Sequence, residues 1–423
     1  MAPPVLCATM KRTILPLFLA GLATTAGAQT SVTVSTAPGN AEQVWYSLQN
    51  GEAGVAAMAE WDLAFEMTGF SSSILVNTAK GLSIYETTVG IGDWDALSTV
   101  DTANWTLIQN QDTSWSAGAL THGNDLSNPD GLNVGWGVYN MVTHVIAGNK
   151  VYAILLADGT TWKKLRINAL AGGVYSFTYA NLDGTDLQDA QVVKANFTGK
   201  NFGYWSFDTN ATLDREPATT DWDLTFTKYT GFVPTPYPVA GVLQNKGVTA
   251  LQVDGVPTGD ALWTSGVFST QMNVIGSDWK SYDFNQGAYT TVADRTYFVK
   301  DVAGNIWKLI FIGYGGSANG DMTFTQELVS NMGVAETGAD QGTLAAWPNP
   351  APNGQVQLVF DVNASKGVLH VFNTAGQQVM QQAFGGLNGL TNRTLDVSGL
   401  KPGIYALRFE AAGKVVNTKL VVE

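Results

Sequence analysis

The sequence has one cysteine and three histidines in 423 residues. The cysteine, Cys7, lies in an N-terminal segment that we expect to be removed. The rest of the chain then has no disulfide, no thiolate nucleophile and no cysteine metal ligand. Charged residues make up only 13% of the chain, well below the usual quarter. Lys and Arg form no cluster and the net charge is −13, which argues against nucleic acid as a partner.

Motifs of the common catalytic classes are also missing. The chain has no Gly-x-Ser-x-Gly and no His-Glu-x-x-His sequence. Carboxylate pairs such as Asp62 with Asp93 stay open, because a sequence does not place two carboxylates in space. Asp62 and Asp223 alternate with aromatic residues, however, and this favours hydrogen bonding at strand ends. We therefore predict that the protein is not an enzyme and has no catalytic or metal-ligating residues.

Residues 1–28 predict a secretory signal peptide. Lys11-Arg12 precedes an apolar run over residues 14–23, and residues 26–28 have the small-x-small form of a cleavage site. The apolar run is too short to cross a bilayer, and no stretch of 18 apolar residues occurs later. We expect a protein that is exported through the periplasm, with no integral membrane segment.

The sequence is rich in glycine (46 residues) and aromatics (11%), which is typical of short strands and tight turns. Within this background "EWDLAFE" (60–66) recurs as "DWDLTFT" (221–227). Six further matches keep the same order, which indicates an internal duplication. They are "VWYSLQ" (44–49) with "YWSFDT" (204–209), "NTAKGLSI" (77–84) with "QNKGVTAL" (244–251), "SWSAGAL" (114–120) with "LWTSGVF" (262–268), "GWGVYNM" (135–141) with "DWKSYDF" (278–284), residues 151–167 with 296–312, and "YSFTYANL" (175–182) with "MTFTQEL" (322–328).

Both copies have the alternation of half-buried strands. In "EWDLAFE" we expect Trp61, Leu63 and Phe65 on one face of a strand. Asp62, Ala64 and Glu66 are then on the other face. The predicted fold class is all-β, with two duplicated β domains and a small C-terminal β-sandwich. We place the domains at residues 29–196 and 197–330, and a Gly-rich linker at 331–343.

Residues 344–423 form the third predicted domain, with five to seven short strands. The segment carries "PNP" (348–350), "VFNTAGQQV" (371–379), "LDVSGLKPGIYALRF" (395–409) and "KLVVE" (419–423). On these motifs it resembles the type A C-terminal sorting domain of proteins exported by the Bacteroidetes type IX secretion system. The resemblance implies recognition by the outer-membrane secretion machinery and delivery to the cell surface or the extracellular space.

The duplicated unit resembles another family. Trp-Asp-Leu-x-Phe, then Gly-Trp-x-x-Tyr, then Val-Tyr before an Asp-Gly turn and a Trp-Lys strand, is the order found in the HmuY family. The match covers residues 42–195 and, more weakly, 203–330. The resemblance implies secreted or lipid-anchored all-β domains, some of which capture haem.

Haem capture needs axial ligands inside an apolar pocket. The first copy offers His122 and His144, whereas the second copy has no histidine. In "VTHVI" an extended strand would place His144 on one face with Val142 and Ile146, and Met141 on the other. A buried core role for His144 and an exposed loop position for His122 are the structural alternatives. Haem is thus a candidate ligand for the first copy alone.

A surface adhesin is a further alternative. Trp94, Trp105 and Trp115 lie in a loop-rich stretch, where exposed rings would stack on sugars; burial in a core is the other interpretation. The Asp/Asn-rich stretches 124–131 and 181–189 lack Ca²⁺-loop spacing and predict turns. From the sequence we expect a secreted or surface-anchored, non-catalytic protein with a binding or structural role. Haem capture and binding of a surface glycan or partner are the alternatives.

Overall fold

The computed structural model describes residues 29–69, 71–126, 132–233, 235–330, 343–347, 349–351, 354–374, 376–411 and 414–422. The predicted signal peptide and nearly all of the predicted linker lie outside these residues. The chain divides into two compact units, residues 1–332 and 333–423, and each is described by itself.

The described residues of the first unit hold 24 strands. The first fourteen are β1 Thr30–Ser35, β2 Glu42–Ser47, β3 Gly51–Ala57, β4 Leu63–Glu66, β5 Ile74–Val76, β6 Ser83–Gly90, β7 Thr106–Ile108, β8 Leu132–Asn133, β9 Gly137–Asn140, β10 Val145–Gly148, β11 Lys150–Leu155, β12 Trp162–Ala171, β13 Val174–Asn181 and β14 Gln188–Val193. The other ten are β15 Phe202–Ser206, β16 Ala211–Leu213, β17 Leu224–Gly231, β18 Tyr237–Gln244, β19 Thr249–Asp254, β20 Lys280–Asp283, β21 Ala288–Thr291, β22 Arg295–Lys300, β23 Ile306–Tyr314 and β24 Asp321–Ser330.

Helical structure in the described residues consists of short 3₁₀ turns between strands. They are Pro38–Asn40, Met58–Glu60, Ile91–Ala96, Ala119–Thr121, Lys194–Phe197, Thr219–Asp221 and Gly316–Ala318. The predicted all-β class is confirmed. In the part of the chain that is described, no helix is long and apolar enough to cross a membrane.

The first unit contains two lobes, each with its own apolar core. Lobe 1 is β4–β16: a nine-stranded sheet, β7-β6-β11-β12-β10-β9-β8 with β13 and β14 added beside β12, and a four-stranded sheet, β16-β15-β4-β5. Lobe 2 combines both ends of the unit. Its sheets are β1-β24-β23-β22-β19 and β18-β17-β2-β3, with the hairpin β20-β21 apart from them.

The two copies exchange their opening hairpins. The hairpin β2-β3 of the first copy pairs with β17 of the second, and β15-β16 of the second copy pairs with β4 of the first. The strands before the two hairpins take equivalent places in the lobes, since β14 pairs with β13 in lobe 1 and β1 pairs with β24 in lobe 2. The predicted domain boundary between residues 196 and 197 stays a prediction about the sequence repeat. The sheets do not follow it, because each lobe contains strands from both sides of this boundary.

Equivalent aspartates tie each exchanged hairpin in place. The Phe207 N–H donates to Asp62 Oδ2 (2.6 Å), and the Leu48 N–H donates to Asp223 Oδ2 (2.8 Å). The backbone N–H of each aspartate donates back to the hairpin, at Trp205 O and Tyr46 O (2.8 Å each). Both carboxylates are buried. The predicted hydrogen bonding of Asp62 and Asp223 at strand ends is confirmed.

The predicted strand faces of "EWDLAFE" are wrong at Trp61. Leu63 and Phe65 lie in the core of lobe 1, but Trp61 packs with Ala64 on the opposite side. The strand begins only at Leu63, and the bend at Asp62 reverses the alternation. All four strand residues are buried, because their second face is covered by the region between the lobes.

Two of the tryptophan matches between the copies are shifted by one residue. The hydrogen bonds of Asp62 and Asp223 make Trp205 equivalent to Tyr46, not to Trp45. Likewise Tyr152 pairs with Leu165 as Tyr297 pairs with Leu309, so Trp307 corresponds to Lys163 and not to Trp162. A shift of one residue moves a side chain to the other face of its strand.

Aromatic side chains and one arginine join the lobes. The Arg215 guanidinium carbon lies 5.1 Å from the ring centres of both Trp45 and Tyr204, and its Nε donates to Glu60 (2.7 Å). Nearby, Trp115 of lobe 1 donates its indole N–H to Gln244 O of lobe 2 (2.8 Å). These contacts join strands that lie far apart in sequence.

Glu216 is a buried carboxyl at this junction. It accepts hydrogen bonds from the Asn201 N–H (3.0 Å) and the Tyr204 hydroxyl (2.8 Å). Burial raises the pKa of Glu216 from 4.5 to about 7, against the opposing effect of Tyr204, Asn201, Lys246 and Arg215.

The second unit holds β25 Thr343–Trp347, β26 Gln355–Asn373, β27 Gln378–Asp396, β28 Gly403–Ala411 and β29 Lys414–Val422. β26 pairs with β27 along its length and with β25 and β28 at its two ends. We expected short strands, but β26 and β27 have 19 residues each, because they pair with each other over almost their whole length. One core, including Phe360, Leu369 and Phe409, lies beneath them.

Replacing Asp62 by Ala should lower the free energy of unfolding by about 2–4 kcal/mol, since the buried Phe207 N–H loses its acceptor and the Lys80 ammonium loses the buried one of its two carboxylate partners. The control is Asp208→Ala, which removes the other, largely exposed partner of Lys80 and should cost under about 1 kcal/mol. Urea unfolding of both variants measures the difference. Equal costs would contradict the tying role of Asp62.

Stability should also fall as pH rises through neutrality. The folded state raises the pKa of Glu216, so its stabilisation is complete below about 4.5 and is lost as pH rises through about 7. Asp223, with its pKa raised to about 6 by burial, acts in the same direction. Between mildly acidic and mildly alkaline buffers, Glu216→Gln should lose about 3 kcal/mol less stability than the wild type. The exposed Glu52→Gln variant should behave as the wild type, and parallel pH curves for all three proteins would refute the assignment.

Candidate ligand-binding cavity

An open cavity of about 690 Å³ lies at one end of lobe 1. Its walls come from the segment after β4, the hairpin β9-β10, the end of β12 and the start of the 3₁₀ turn Lys194–Phe197. The turn between β12 and β13 bounds it through Gly172 and Gly173, both with positive φ. A cavity of this size is in the range that holds a small organic ligand.

One side of the cavity is apolar. Val134, Ile146 and Leu170 line it, together with Leu126 and Leu132. Ile146 and Leu170 are direct neighbours in the β10-β12 ladder, so their side chains present one continuous surface. Ile146 and its strand neighbours also pack on the lobe 1 core, which fixes the wall in place.

The other side is polar. It carries Glu66, the serines at 71–73, and Lys194. Glu66 is buried and pairs with Lys246 of lobe 2, while the Ser116 hydroxyl donates to its Oε1 (2.6 Å). Lys194 donates to the carbonyl oxygens of Ser71 (2.8 Å) and Gly69 (3.3 Å). Apolar walls with a few converging polar groups are the usual composition of a binding pocket.

His144 lines the cavity, but not as the sequence predicted. Residues 141–144 form a turn, not a strand, and His144 is exposed with φ 57°. The cause is Asn140, whose Oδ1 accepts the N–H groups of Val142 (2.9 Å) and Thr143 (3.0 Å) and so closes the turn. Val142, which we expected beside His144 on a buried face, is 87% exposed. His144 Nδ1 lies 2.7 Å from the Tyr139 hydroxyl.

His122 does not line the cavity. It follows the 3₁₀ turn Ala119–Thr121, its side chain is 52% exposed, and its Nδ1 lies 3.1 Å from Glu86 Oε2. The two histidines are therefore not brought together at one apolar surface. His122 has the exposed position that the sequence left open for it.

The sequence-selected tryptophans are not exposed stacking platforms. Trp94 and Trp105 are buried in a second cluster of lobe 1, where the Lys164 ammonium lies 4.9 Å from the Trp94 ring centre. Trp115 is half-buried between the lobes. Among the described residues, three exposed rings lie near each other on the β20-β21 hairpin, at Tyr282, Phe284 and Tyr289, and Tyr237 at the start of β18 is also exposed.

The stretch 181–189 forms a turn, as its spacing predicted. Asp183 Oδ1 accepts from both the N–H (2.9 Å) and the hydroxyl (2.6 Å) of Thr185, and these bonds lower the pKa of Asp183. Asp186 pairs with Lys163 (2.8 Å). Most of the stretch 124–131 lies outside the described residues.

Lobe 2 has aromatic side chains at the positions of the apolar wall. Because Tyr139 pairs with Ile146 as Tyr282 pairs with Tyr289, Ile146 corresponds to Tyr289; by the same register Leu170 corresponds to Tyr314. The rings of Tyr289 and Tyr314 are in contact, 4.7 Å apart. Lys280, which takes the place of Gly137, packs its ammonium 4.6 Å from the Tyr314 ring centre. The copies therefore differ at the cavity itself.

Sequence reasoning missed Glu66 and Lys194. Glu66 was assigned only to a strand face, and Lys194 follows β14 in a stretch without a motif. Comparison of the copies could have drawn attention to Glu66, because the second copy has the neutral Thr227 at the corresponding position in "DWDLTFT".

Comparison with known proteins concerns mainly the second unit. Residues 345–423 match the family model described as the secretion system C-terminal sorting domain. This segment is a type IX sorting domain. The predicted type IX sorting domain is thereby confirmed for residues 345–423, whereas its assignment to type A stays a prediction. The sorting domain indicates export to the cell surface or the extracellular space, with the secretion machinery as partner. The resemblance of residues 42–330 to the HmuY family stays a prediction.

Solved structures resemble the chain only distantly. PorZ, a surface component of the type IX secretion system of Porphyromonas gingivalis, shows 11% identity and a TM-score of 0.16 over 77% of this chain and 51% of its own. Latent PorU from the same organism shows 11% identity and a TM-score of 0.17 over 90% and 40%. The BSP domain of a biofilm associated protein shows 11% and 0.16 over 95% and 67%. The chain thus spans about half or less of the first two structures. No curated protein matches it.

Proposed function

We propose that the protein is a secreted or surface-anchored, non-catalytic binding protein, and that the lobe 1 cavity takes up a small, mainly apolar molecule. The observation that carries this proposal is the contrast between the copies. Lobe 1 keeps aliphatic side chains around an open volume of about 690 Å³, where lobe 2 has packed tyrosines. Open apolar surface in water costs free energy, so it is typically kept for binding.

Two aromatic substitutions copied from lobe 2 should weaken binding. Ile146→Tyr combined with Leu170→Tyr fills the cavity with side chains that the same register accommodates in lobe 2. Affinity for the neutral apolar dye N-phenyl-1-naphthylamine, measured by fluorescence titration, should fall at least about tenfold.

The control for this test is Val138→Tyr, on the neighbouring position of β9 that faces away from the cavity. It should bind the dye as the wild type does. Failure of the wild type to bind the dye, or unchanged binding by the filled variant, would contradict the proposal. Thermal unfolding of all three proteins shows whether the substitutions preserve the fold.

Haem is the second candidate ligand, favoured by the position of His144. His144 lines the cavity, and its Nδ1 is hydrogen-bonded to Tyr139. When Nδ1 donates its proton to the Tyr139 oxygen, Nε2 carries the lone pair that iron requires. Bound haem would supply the iron and a flat apolar surface, and His144 would be its ligand from this chain.

Haem titrated at micromolar concentration should shift its Soret band on adding the protein. The shift should be lost in His144→Ala and retained in His122→Ala, since only His144 lines the cavity. An unshifted wild-type spectrum, or a shift that survives His144→Ala, would exclude this candidate. Surface-glycan binding stays a prediction, and the exposed rings Tyr282, Phe284 and Tyr289 on the β20-β21 hairpin are candidates for it.

A further inference from the structure

Lys194 is a half-buried cation at the polar side of the cavity. Its ammonium donates to two carbonyl oxygens and lies 5.5 Å from the Tyr175 ring centre. In the described ranges it makes no ion pair with a carboxylate. A cation withdrawn from water is disfavoured until an anion compensates it. Burial accordingly lowers the pKa of Lys194.

Glu66 offsets this burial only in part, since it attracts the Lys194 ammonium but forms its direct ion pair with Lys246, which in turn repels Lys194. Its carboxylate is matched by Lys246, and it also accepts from the Ser116 hydroxyl (2.6 Å) and the Ser73 N–H (3.3 Å). One negative and two positive charges therefore meet at this side of the cavity. We assign the excess positive charge to Lys194, because Lys246 is paired directly with Glu66, whereas Lys194 lines the cavity and keeps one of its three N–H donors.

The cation and the cavity occur in the same lobe. The Lys194 N–H donates to Gly173 O as the Thr36 N–H donates to Gly320 O, so Thr36 is the equivalent residue of lobe 2. Thr36 is fully buried, and its hydroxyl donates within lobe 2. Where tyrosines replace the aliphatic wall, a neutral threonine thus replaces the lysine.

We propose that the cavity selects apolar molecules that carry an anionic group, such as a carboxylate. The apolar part lies against Val134, Ile146 and Leu170, and the anion accepts a hydrogen bond from the Lys194 ammonium. Low local dielectric strengthens such a charge-assisted bond. This inference rests on the proposed function of the cavity and adds the charge of the ligand to it.

Decanoate and decanol test the inference, because they share an alkyl chain and differ in charge. Each is titrated against the protein loaded with N-phenyl-1-naphthylamine, and displacement of the dye is followed. The wild type should bind decanoate at least about tenfold more tightly than decanol. Lys194→Gln should bring this ratio close to one without changing the affinity for decanol, and Lys194→Arg should retain the preference.

Lys200→Gln is the matched control, because it removes the same charge from a lysine that does not line the cavity. It should keep the wild-type ratio. Equal binding of decanoate and decanol by the wild type, or an unchanged ratio in Lys194→Gln, would overturn the anion preference while leaving apolar binding in place. Failure of the wild type to bind the dye and both probes would instead overturn the proposed function together with this inference.

Discussion

The first unit depends on the reciprocal pairing of β2 with β17 and of β15 with β4. Each pairing gives the opening hairpin of one copy to the sheet of the other, and Asp62 and Asp223 anchor the two exchanges with the same pair of backbone hydrogen bonds. Because β1 also closes on β24, lobe 2 needs both ends of a 300-residue segment. Neither copy can complete its sheets alone, so the lobes should fold as a coupled pair.

The exchange explains why the middle of the molecule is so aromatic. Each transferred strand presents one face to the core of its host lobe and the other to the junction, where Trp45, Tyr204 and Trp61 surround Arg215. The strand β4, which pairs with the transferred β15, is buried on both faces. Its residues therefore do not follow a simple apolar-polar alternation. Planar guanidinium stacking suits this place, since it provides positive charge without requiring a second buried carboxylate.

The fold class, the duplication and the sorting domain were predictable, because strand periodicity, ordered repeats and a set of local motifs are all properties of short segments. The hairpin exchange was not, since β2 has the same sequence whether it pairs with its own copy or with the other. Aligning the copies on Trp45 and Trp205 shifts the alignment by one residue, because these two tryptophans lie on opposite faces of equivalent strands. His144 was predicted as a ligand candidate in the first copy, but in a strand and not in a turn. The turn depends on hydrogen bonds to the single side chain of Asn140, which strand periodicity does not reveal.

Duplication also accounts for how one lobe can keep an open cavity. In lobe 2 the β20-β21 hairpin is held by contacts among Tyr289, Tyr314 and Lys280. The equivalent hairpin of lobe 1, β9-β10, does not have these aromatic contacts at Ile146 and Leu170. In lobe 1 the strands around Ile146 and Leu170 are held by the nine-stranded sheet, to which β9 and β10 belong, whereas β20 and β21 stand apart. Strand pairing thus holds the hairpin β9-β10 in lobe 1, whereas aromatic contacts hold the hairpin β20-β21 in lobe 2. The copies thus solve the same structural problem differently, and only the lobe 1 solution leaves room for a ligand.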